Sequence, residues 1–523
     1  MTNKWFYEKN NELLNSTFNK YFEEILWMTD DEFREWVRGM RALVVELWDK
    51  GNPPRVGYDE ESIIDQFNKM TSFPVWKFEV TDENTGETDV VRNTSAIGNA
   101  VNQFFPTMMK TRINYTKDAS KGRSIYDYFA KEELYETFVK YARRHFKRDS
   151  FYHHSAPFKA TDVLEIESHN VRFDTGEEFI KWFEENGRVY DKYDYWLSPK
   201  NSVEYTGYNE KLKNQTYLSI TREQLKSLNV PEKCLTNLDY NEDDELQIRF
   251  FKKEQRVFPV GLKAFRVSFC QYAVNFPPLT AKFLYEKFTE HVKTQDQINI
   301  YDPSAGWGGR LLGAMSVEDN RNIHYIGTDP NTDHNTSLGR TKYHEIADFF
   351  NTKTNRARGL FPKTHTYEIF QSGSEEIHKL EDFQKYKGKL DLIFTSPPYF
   401  SKEAYSEDEE QSYKKFNQYE EWRDGFLYNT LKTCYEYLRN DRYLLWNIAD
   451  VKFDSDVLPL EKDSKDILSG FGMEHQGVIK MSLAQMPGGN RVDTETGKPK
   501  TKNFCKVNGI WLKYEPIFVF YKP

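Results

Sequence analysis

Short apolar segments alternate with amphipathic ones from about residue 256 to the end of the sequence, and this alternation constrains the fold more than any other feature. The apolar segments end at Asp, Ser or Pro-rich turns and have the length of buried strands. The segments between them carry apolar residues at helical spacing. The strand candidates are INIYD, IHYIGTD, LDLIFTS, RYLLWNI and EPIFVFYK. Strands that alternate with helices predict an α/β fold with helices on both faces of one sheet.

The first half of the sequence is more mixed. The segment DDEFREWVRGMRALVVELWDK predicts a helix that begins at Asp30 and ends before a Gly-Asn-Pro-Pro run. A hairpin with its turn at residues 84–86 follows, whereas residues 151–255 show no pattern that we can assign. We therefore predict two parts. Residues 1–255 form a mixed, helix-rich N-terminal region, and residues 256–523 form an α/β domain.

The chain is acidic overall, with a formal net charge of −9, so any surface for nucleic acid must be a local patch. Residues 100–150 are the candidate patch, because they carry eleven Lys and Arg against six Asp and Glu. A solvated helix face would explain the same excess. The N-terminal region is accordingly our candidate for target recognition.

The four cysteines are scattered and form no Cys/His cluster with ligand spacing. We therefore expect neither a disulfide framework nor a bound metal. The first residues contain no apolar segment of the kind found in signal peptides, and no apolar stretch is long enough to span a bilayer. These features predict a cytoplasmic protein without membrane contact.

A glycine-rich turn follows the first strand candidate of the α/β domain. It reads DPSAGWGG over Asp302–Gly309 and leads into a helix. Glycines at such a position let the backbone approach a ligand, and ligands of open α/β sheets bind beyond the carboxyl ends of the strands. Asp329 ends the next strand, where an acidic side chain can accept hydrogen bonds from ribose hydroxyls. A tight turn and a capping aspartate are the structural alternatives.

The segment TSPPYF, Thr395–Phe400, follows the apolar strand candidate LDLIF. Its two prolines fix φ and remove two N–H groups, which leaves a rigid rim of carbonyl oxygens. An exocyclic base amine is a poor nucleophile, because its lone pair is delocalised into the ring. The Ser396 side chain and the Pro397 carbonyl could hold the hydrogens of such an amine, while Tyr399 stacks on an extruded base. The structural alternative is a proline-terminated strand with a core tyrosine.

In this order, residues 302–309, 329 and 396–399 resemble the signature of the amino-methyltransferases that modify DNA at adenine N6 or cytosine N4. The resemblance covers about residues 256–523. It implies a Rossmann-like fold with a seven-stranded sheet, S-adenosylmethionine as cofactor, and methyl transfer to a DNA base that is flipped out of the duplex. Serine before Pro-Pro-Tyr resembles the cytosine-N4 enzymes more than the adenine-N6 enzymes, so cytosine N4 is favoured.

The resemblance also implies roles for individual residues. Ser374 matches a residue near the adenine ring of the cofactor, and Phe276 lies in a segment that lines its methionine end. Ser304 and Trp307 depart from the usual form of the cofactor loop, where an aromatic residue often takes the place of Ser304. The implied cofactor-binding residues are Asp302, Gly306, Gly308, Asp329, Ser374 and Phe276, and the implied catalytic residues are Ser396, Pro397, Pro398 and Tyr399.

Three other functions compete with this interpretation. An RNA base methyltransferase would use the same chemistry. A non-catalytic nucleic-acid-binding subunit is the alternative from another class, although both motifs are intact here. A dehydrogenase would explain the glycine turn and Asp329, but it would leave the Ser-Pro-Pro-Tyr segment without a role. The sequence leaves protein partners open.

Overall fold

The protein is described here from a computed structural model. The ranges that the structure describes are 16–20, 24–25, 28–49, 60–95, 97–98, 106–114, 122–146, 193–199, 217–219, 245–252, 257, 274–292, 296–317, 321–330, 334–335, 340–353, 365–405, 409–453, 456–483, 499 and 502–523.

The strands of these ranges are numbered in chain order. They are β1 (Glu79–Val80), β2 (Val90–Val91), β3 (Arg112–Ile113), β4 (Tyr193–Pro199), β5 (Tyr217–Ser219), β6 (Glu245–Lys252), β7 (Gln297–Asp302), β8 (Asn322–Thr328), β9 (His334–Asn335), β10 (Arg340–Thr341), β11 (Thr366–Phe370), β12 (Leu390–Thr395), β13 (Glu403–Ala404), β14 (Leu438–Asn447), β15 (Val451–Phe453), β16 (Asp456–Leu458), β17 (Glu474–Ser482), β18 (Phe504–Val507) and β19 (Ile510–Lys522).

The α-helices are numbered in the same way, and a π-helical turn, Arg423–Leu427, joins two of them. They are α1 (Asp30–Asp49), α2 (Glu60–Thr71), α3 (Ile125–Ala130), α4 (Tyr135–Phe146), α5 (Pro278–Phe288), α6 (Gly309–Met315), α7 (Lys342–Lys353), α8 (Glu381–Gln384), α9 (Ser412–Lys415), α10 (Tyr419–Trp422), α11 (Tyr428–Tyr437) and α12 (Leu460–Gly470). Short 3-10 helices are Val75–Phe78, Pro106–Met109, Glu132–Leu134 and Ile377–Lys379.

The main sheet has the strand order β1-β2-β17-β19-β14-β12-β7-β8-β11, and β18 pairs with β19. Strands β14, β12, β7, β8 and β11 are parallel, whereas β19 runs antiparallel to both of its neighbours, β14 and β17. From β7 the chain builds the sheet first towards β11 and then, from β12, in the opposite direction. The order therefore reverses between β7 and β12, and an open α/β sheet forms its ligand crevice at such a reversal.

Helices cover both faces of this sheet, as the sequence predicts. On one face, Phe394 of β12 packs edge-to-face against Phe276 and against Tyr285 of α5, with ring centroids 5.1 and 6.0 Å apart. On the other face, Trp446 of β14 donates a hydrogen bond to Ser464 of α12 at 3.2 Å, inside a large apolar core. The alternation of side chains along each strand is what allows one strand to bury both faces.

The predicted α1 and the predicted hairpin are confirmed. Helix α1 begins at Asp30, and β1 pairs with β2 across a turn in which Gly86 has φ 79°. The sequence analysis missed β11 and β17, and the three-stranded antiparallel sheet β4-β6-β5 lies within 151–255, where it assigned no pattern. The sheet order β4-β6-β5 brings together three strands that are distant in sequence.

The chain divides into two units by its contacts. One unit comprises 1–57 and 125–271, and the other comprises 58–124 and 272–523. This division differs from the single boundary after residue 255 that the sequence suggests. The physical reason is visible at Lys282 of α5, which is buried and donates to the carbonyls of Met70 and Thr71, both at 2.8 Å. Its ammonium group satisfies the end of α2, so that this N-terminal helix belongs to the same unit as the sheet.

Candidate active site at the carboxyl ends of the central strands

The glycine turn lies at the carboxyl end of β7, at the point where the sheet order reverses. Gly306 and Gly308 have φ values of 58° and 71°, in the left-handed region that favours glycine. The Gly306 N–H donates to Oδ2 of Asp329 at 2.7 Å, and the Ala305 N–H donates to the carbonyl of Thr328 at 3.0 Å. The structure therefore joins the turn to the acidic residue after β8, Asp329.

Residues 275–276 lie directly against this turn. The Asn275 side chain donates to the carbonyl of Trp307 at 2.8 Å and accepts from the Gly309 N–H at 3.2 Å. A Cβ atom at Gly309 would come within 2.2 Å of the Phe276 carbonyl oxygen. The sequence analysis selected Phe276 and the turn that ends at Gly309, but it missed Asn275, which fixes how closely the two segments approach.

Asp302 is fully buried, and both of its oxygens are engaged within the protein. Oδ2 accepts from Arg310 Nε at 2.8 Å and from the Tyr325 hydroxyl at 2.7 Å, while Oδ1 accepts from the Thr395 hydroxyl at 2.7 Å. Burial acts to lower the pKa of Arg310, but the charge of Asp302, the hydrogen bond to it and the charges of Tyr325 and Tyr285 together raise that pKa. Asp302 thus connects the end of β7 with the middle of β8 and the end of β12, and these contacts give it an organising role beside its predicted role in cofactor binding.

The Ser-Pro-Pro-Tyr segment leaves the end of β12 and turns sharply at Phe400. Phe400 has φ 53°, an unusual value for a bulky residue. Its ring packs edge-to-face on Tyr419 and Trp422, with centroids 5.9 and 5.8 Å apart. The Lys402 N–H also donates to the Tyr399 carbonyl at 3.0 Å. Strained backbone of this kind persists only where surrounding contacts hold it, and it is concentrated at functional sites.

Two glutamates lie beside Tyr399. Burial raises the pKa of the Tyr399 phenol, the charges of Glu515 and Glu403 raise it further, and a hydrogen bond with Ser396 acts against them. Burial also raises the pKa of Glu515, to about 7, and Glu403 adds to that effect. Our sequence analysis named neither glutamate as a site residue, although Glu515 is the polar first residue of the strand candidate EPIFVFYK.

The segment after Phe400 lies next to the cofactor turn. The Tyr405 ring packs edge-to-face on Trp307 with centroids 5.6 Å apart, and its hydroxyl donates to Glu403. Burial raises the pKa of Tyr405, and the charges of Glu403 and Asp329 contribute to the rise. Trp307, which departs from the usual loop sequence, therefore contacts the segment that follows Ser-Pro-Pro-Tyr.

The basic region also reaches this segment at one point. Strand β3 pairs with β13, and Asn114 donates from its backbone to the Lys402 carbonyl at 2.8 Å and from its side chain to the Ser401 carbonyl at 2.5 Å. Farther along the basic region, Arg143 of α4 donates instead to Asp30 of α1 at 2.9 Å. The side chain of Arg144 lies outside the described residues.

Ser374 lies four residues beyond β11, at the same edge of the sheet. Its hydroxyl is buried and 2.9 Å from that of Thr430. Among the described residues, no group of three or more His, Cys, Asp or Glu side chains could hold a metal ion. Within the same ranges, no helix is long and apolar enough to cross a membrane.

The fold defines an α/β protein with a Rossmann-like sheet whose strand order reverses between β7 and β12, the place where open α/β sheets bind their ligands. Residues 390–523, which begin at β12 and include the Ser-Pro-Pro-Tyr segment, match the model of a DNA methylase family that acts at adenine N6 or cytosine N4. No curated protein matches the chain.

Solved structures give further likenesses. A putative class I S-adenosylmethionine-dependent methyltransferase from Listeria monocytogenes is 15% identical, covers 47% of this chain and 58% of its own, and has a TM-score of 0.27. A putative DNA modification methylase from Thermus thermophilus, complexed with S-adenosylmethionine, is 19% identical, covers 29% of this chain and 54% of its own, and has a TM-score of 0.20. Each match thus spans less than two thirds of the length of the solved protein.

Proposed function

We propose that the protein transfers a methyl group from S-adenosylmethionine to an exocyclic amino group of a DNA base. The observation that carries the proposal is the buried carboxylate of Asp302, which joins the end of β7, with its glycine turn, to Thr395, the residue directly before Ser396. One side chain thereby fixes the proposed cofactor turn and the proposed catalytic segment relative to each other. The family match over 390–523 supports DNA as the substrate class.

The residues around the turn fit the cofactor. A Cβ atom at Gly306 would be in ordinary van der Waals contact with the Arg310 side chain, at 3.7 Å, and the φ of 58° favours glycine, so a larger side chain would disturb the turn. Asp329 is only partly buried and can accept hydrogen bonds from ribose hydroxyls. Two more residues complete the proposed cofactor site. Ser374 lies just beyond the end of β11, and Phe276 lies just before α5. When bound, the cofactor would supply an electrophilic methyl group on a sulfonium.

The protein's own task is to hold a weakly nucleophilic amine. Ser396 and the Pro397 carbonyl accept hydrogen bonds from the amine, which favours a more tetrahedral nitrogen with its lone pair directed at the methyl group. Pro397 and Pro398 keep this rim rigid, and Tyr399 stacks on the extruded base. Positioning of this kind accounts for a large share of enzymatic rate acceleration.

Between the two possible bases, we propose cytosine N4 ahead of adenine N6. A serine hydroxyl can accept one hydrogen bond and donate another, so Ser396 can face both the N4 amine and the N3 acceptor of cytosine. Adenine presents a similar edge through its amine and N1, so the preference is one of degree.

Cofactor binding is tested by calorimetry with S-adenosylmethionine on the full chain. Gly306→Val and Asp329→Ala should each weaken binding by at least tenfold, whereas Asp382→Ala, an exposed carboxylate on α8, serves as the matched control and should leave it unchanged. Unchanged affinity in both site variants would refute the assignment of the cofactor site.

The reaction is tested by mass spectrometry of nucleosides after incubation with unmethylated DNA or RNA. N4-methylcytosine from DNA is the expected product. N6-methyladenine would refute the choice of base, and a methylated amine in RNA alone would refute the choice of DNA. 5-Methylcytosine would overturn the mechanism, because carbon methylation needs a nucleophilic cysteine and none lies in Thr395–Phe400.

We further propose that target recognition involves the basic region near β3, because this strand pairs with the segment that follows Tyr399. Replacing Lys110 and Arg112 together by Gln should weaken DNA binding and reduce its salt dependence by about one to two released counterions. Arg143→Gln, at a residue paired with Asp30, is the control. An unchanged salt slope in the double variant would contradict the proposal.

A further inference from the structure

Glu515 lies at the same edge and on the same face of the sheet as Ser396. The strand register pairs Thr395 of β12 with Trp446 of β14, and Asn447 of β14 with Ile517 of β19. Because side chains alternate along a strand, Glu515, Ile517 and Asn447 share one face, and Ser396 comes level with Asn447. Neighbouring strands are about 4.8 Å apart, and Glu515 lies two residues beyond Ile517 along β19, so the backbone positions of Ser396 and Glu515 are separated by about 12 Å, which leaves room for a base between them.

An unpaired polar atom lies between these two positions. Nδ2 of the Asn447 side chain donates to the Pro516 carbonyl at 3.0 Å. Its Oδ1, in contrast, is buried and has no hydrogen-bond partner among the described residues. Buried polar atoms are nearly always satisfied, so an exception asks for a partner that is absent from the protein alone. A hydrogen-bond donor on a bound ligand would satisfy this oxygen.

The Glu515 carboxylate is equally unengaged. In the described part of the chain it makes no hydrogen bond and no ion pair, whereas the carboxylate of its neighbour Glu403 accepts from the Tyr405 hydroxyl. Burial raises the pKa of Glu515 to about 7, Glu403 adds to the rise, and Lys513 opposes it. Burial also raises the pKa of Glu403, while the Tyr405 hydrogen bond and Lys402 act against it. Two neighbouring carboxylates in one partly buried site cannot both ionise cheaply.

We propose that Glu515 is the group that accepts the proton lost by the base amine during methylation. This inference rests on the proposed function. The amine lone pair forms the new N–C bond, and the C–S bond of the sulfonium breaks with its electron pair going to sulfur. The nitrogen, which then carries an extra proton, gives that proton to the Glu515 carboxylate. The carboxylic acid so formed releases the proton to water, so that atoms and charges balance.

The division of roles follows from the surroundings of each group. Ser396 orients the amine, because a serine hydroxyl is far too weak a base to take the proton near neutral pH. Glu403 is a positioning residue, which is held by Tyr405 and acts on Glu515 through its charge. A general base works best when its pKa lies near the working pH, and the shared site of the two glutamates provides that condition.

The experiment compares rate–pH profiles of single-turnover methylation, from pH 5.5 to 9, with tritiated S-adenosylmethionine and unmethylated DNA. For the wild type we expect the rate to fall on the acidic side of about pH 7, because protonated Glu515 cannot act as a base. Glu515→Gln should lower the rate by about 10²–10⁴-fold and abolish this acidic limb, with cofactor affinity unchanged by calorimetry. Glu403→Gln should shift the limb to lower pH, because it removes the neighbouring negative charge.

Glu474→Gln, at an exposed glutamate on the adjacent strand β17, is the matched control and should keep the wild-type profile. A rate–pH profile of Glu515→Gln that equals that of the wild type would overturn the inference. The inference would also fail if Glu403→Gln lost the acidic limb of the rate–pH profile while Glu515→Gln kept it. If Glu515→Gln fails to fold, an unshifted limb in Glu403→Gln would overturn it instead. A wild-type protein that methylates neither DNA nor RNA would refute the proposed function itself. A wild type that methylates, together with a Glu515→Gln variant of unchanged rate–pH profile, would refute only the role of Glu515.

Discussion

The buried pair of Asp302 and Arg310 offers a sharp test of how this site is held together. Asp302→Asn keeps the size of the side chain but removes its charge. The carboxylate accepts side-chain hydrogen bonds from Arg310, Tyr325 and Thr395, all of them donors. An asparagine places an NH₂ group where at least one of these donors now points, and it leaves the guanidinium buried without a counter-ion.

The magnitude follows from this arrangement. Removal of one partner of a buried ion pair costs about 3–5 kcal/mol, because the remaining charge stays buried and uncompensated. For a cooperative unit of about 300 residues, a loss of about 4 kcal/mol lowers Tm by about 6 °C. We therefore expect Asp302→Asn to lower the Tm of the full chain by this amount and to weaken cofactor binding, since the ends of β7 and β12 lose their common anchor.

The assay is thermal unfolding, combined with urea denaturation, of Asp302→Asn, Arg310→Met and the double variant. If the charges compensate each other, the double variant should be clearly more stable than the sum of the two single losses predicts. Asp466→Asn, which breaks the exposed pair with Lys462, should change stability little. Additive losses, or a loss below about 1 kcal/mol in Asp302→Asn, would refute our account of this carboxylate.

Two further predictions concern neighbouring features. Gly309→Ala should cost about 1–3 kcal/mol of stability and weaken cofactor binding, because its Cβ atom would lie 2.2 Å from the Phe276 carbonyl oxygen. The control is Gly470→Ala, where a Cβ atom meets nothing within 4 Å. Equal changes of Tm in the two variants would contradict the prediction. The pKa of Glu515 is raised to about 7 in the folded protein, so the wild type loses stability as pH rises through that value. Glu515→Gln lacks this titrating group. Its free energy of unfolding should therefore rise relative to that of the wild type between pH 5 and 8, by at most about 3 kcal/mol. Urea denaturation at both pH values measures the difference, and a constant difference would count against the raised pKa.

Much of the site could be predicted from the sequence, because its motifs are local. The turn at Asp302–Gly309 and the segment Ser396–Tyr399 each follow an apolar strand that is recognisable by itself, and parallel strands present their carboxyl ends at one edge. The structure in addition joins the glycine turn to Asp329 by a direct hydrogen bond, which the sequence did not predict. The predicted roles of these residues in binding and catalysis stay predictions.

The contacts between distant segments were not predicted. Asn275 and Gly309 are ordinary residues until their separation is known, and β3 gives no sign in the sequence that it pairs with β13. The short β11 and the partly exposed β17 were missed for a related reason. A strand without a continuous apolar run gives a weak local signal, and its pairing is decided by its neighbours.

The sequence by itself determined that the second half of the chain is an α/β sheet, because hydrophobic period and turn residues are properties of consecutive positions. Only the tertiary structure decided that β19 is inserted antiparallel between β14 and β17, and that residues 58–124 join the same unit. The place of Glu515 near Glu403, on the same face of the sheet as Ser396, depends on that insertion. Strand order, and the unit to which a segment belongs, depend on which surfaces bury each other. The burial free energy is a sum of contacts between segments far apart in the chain, and no local sequence pattern encodes it.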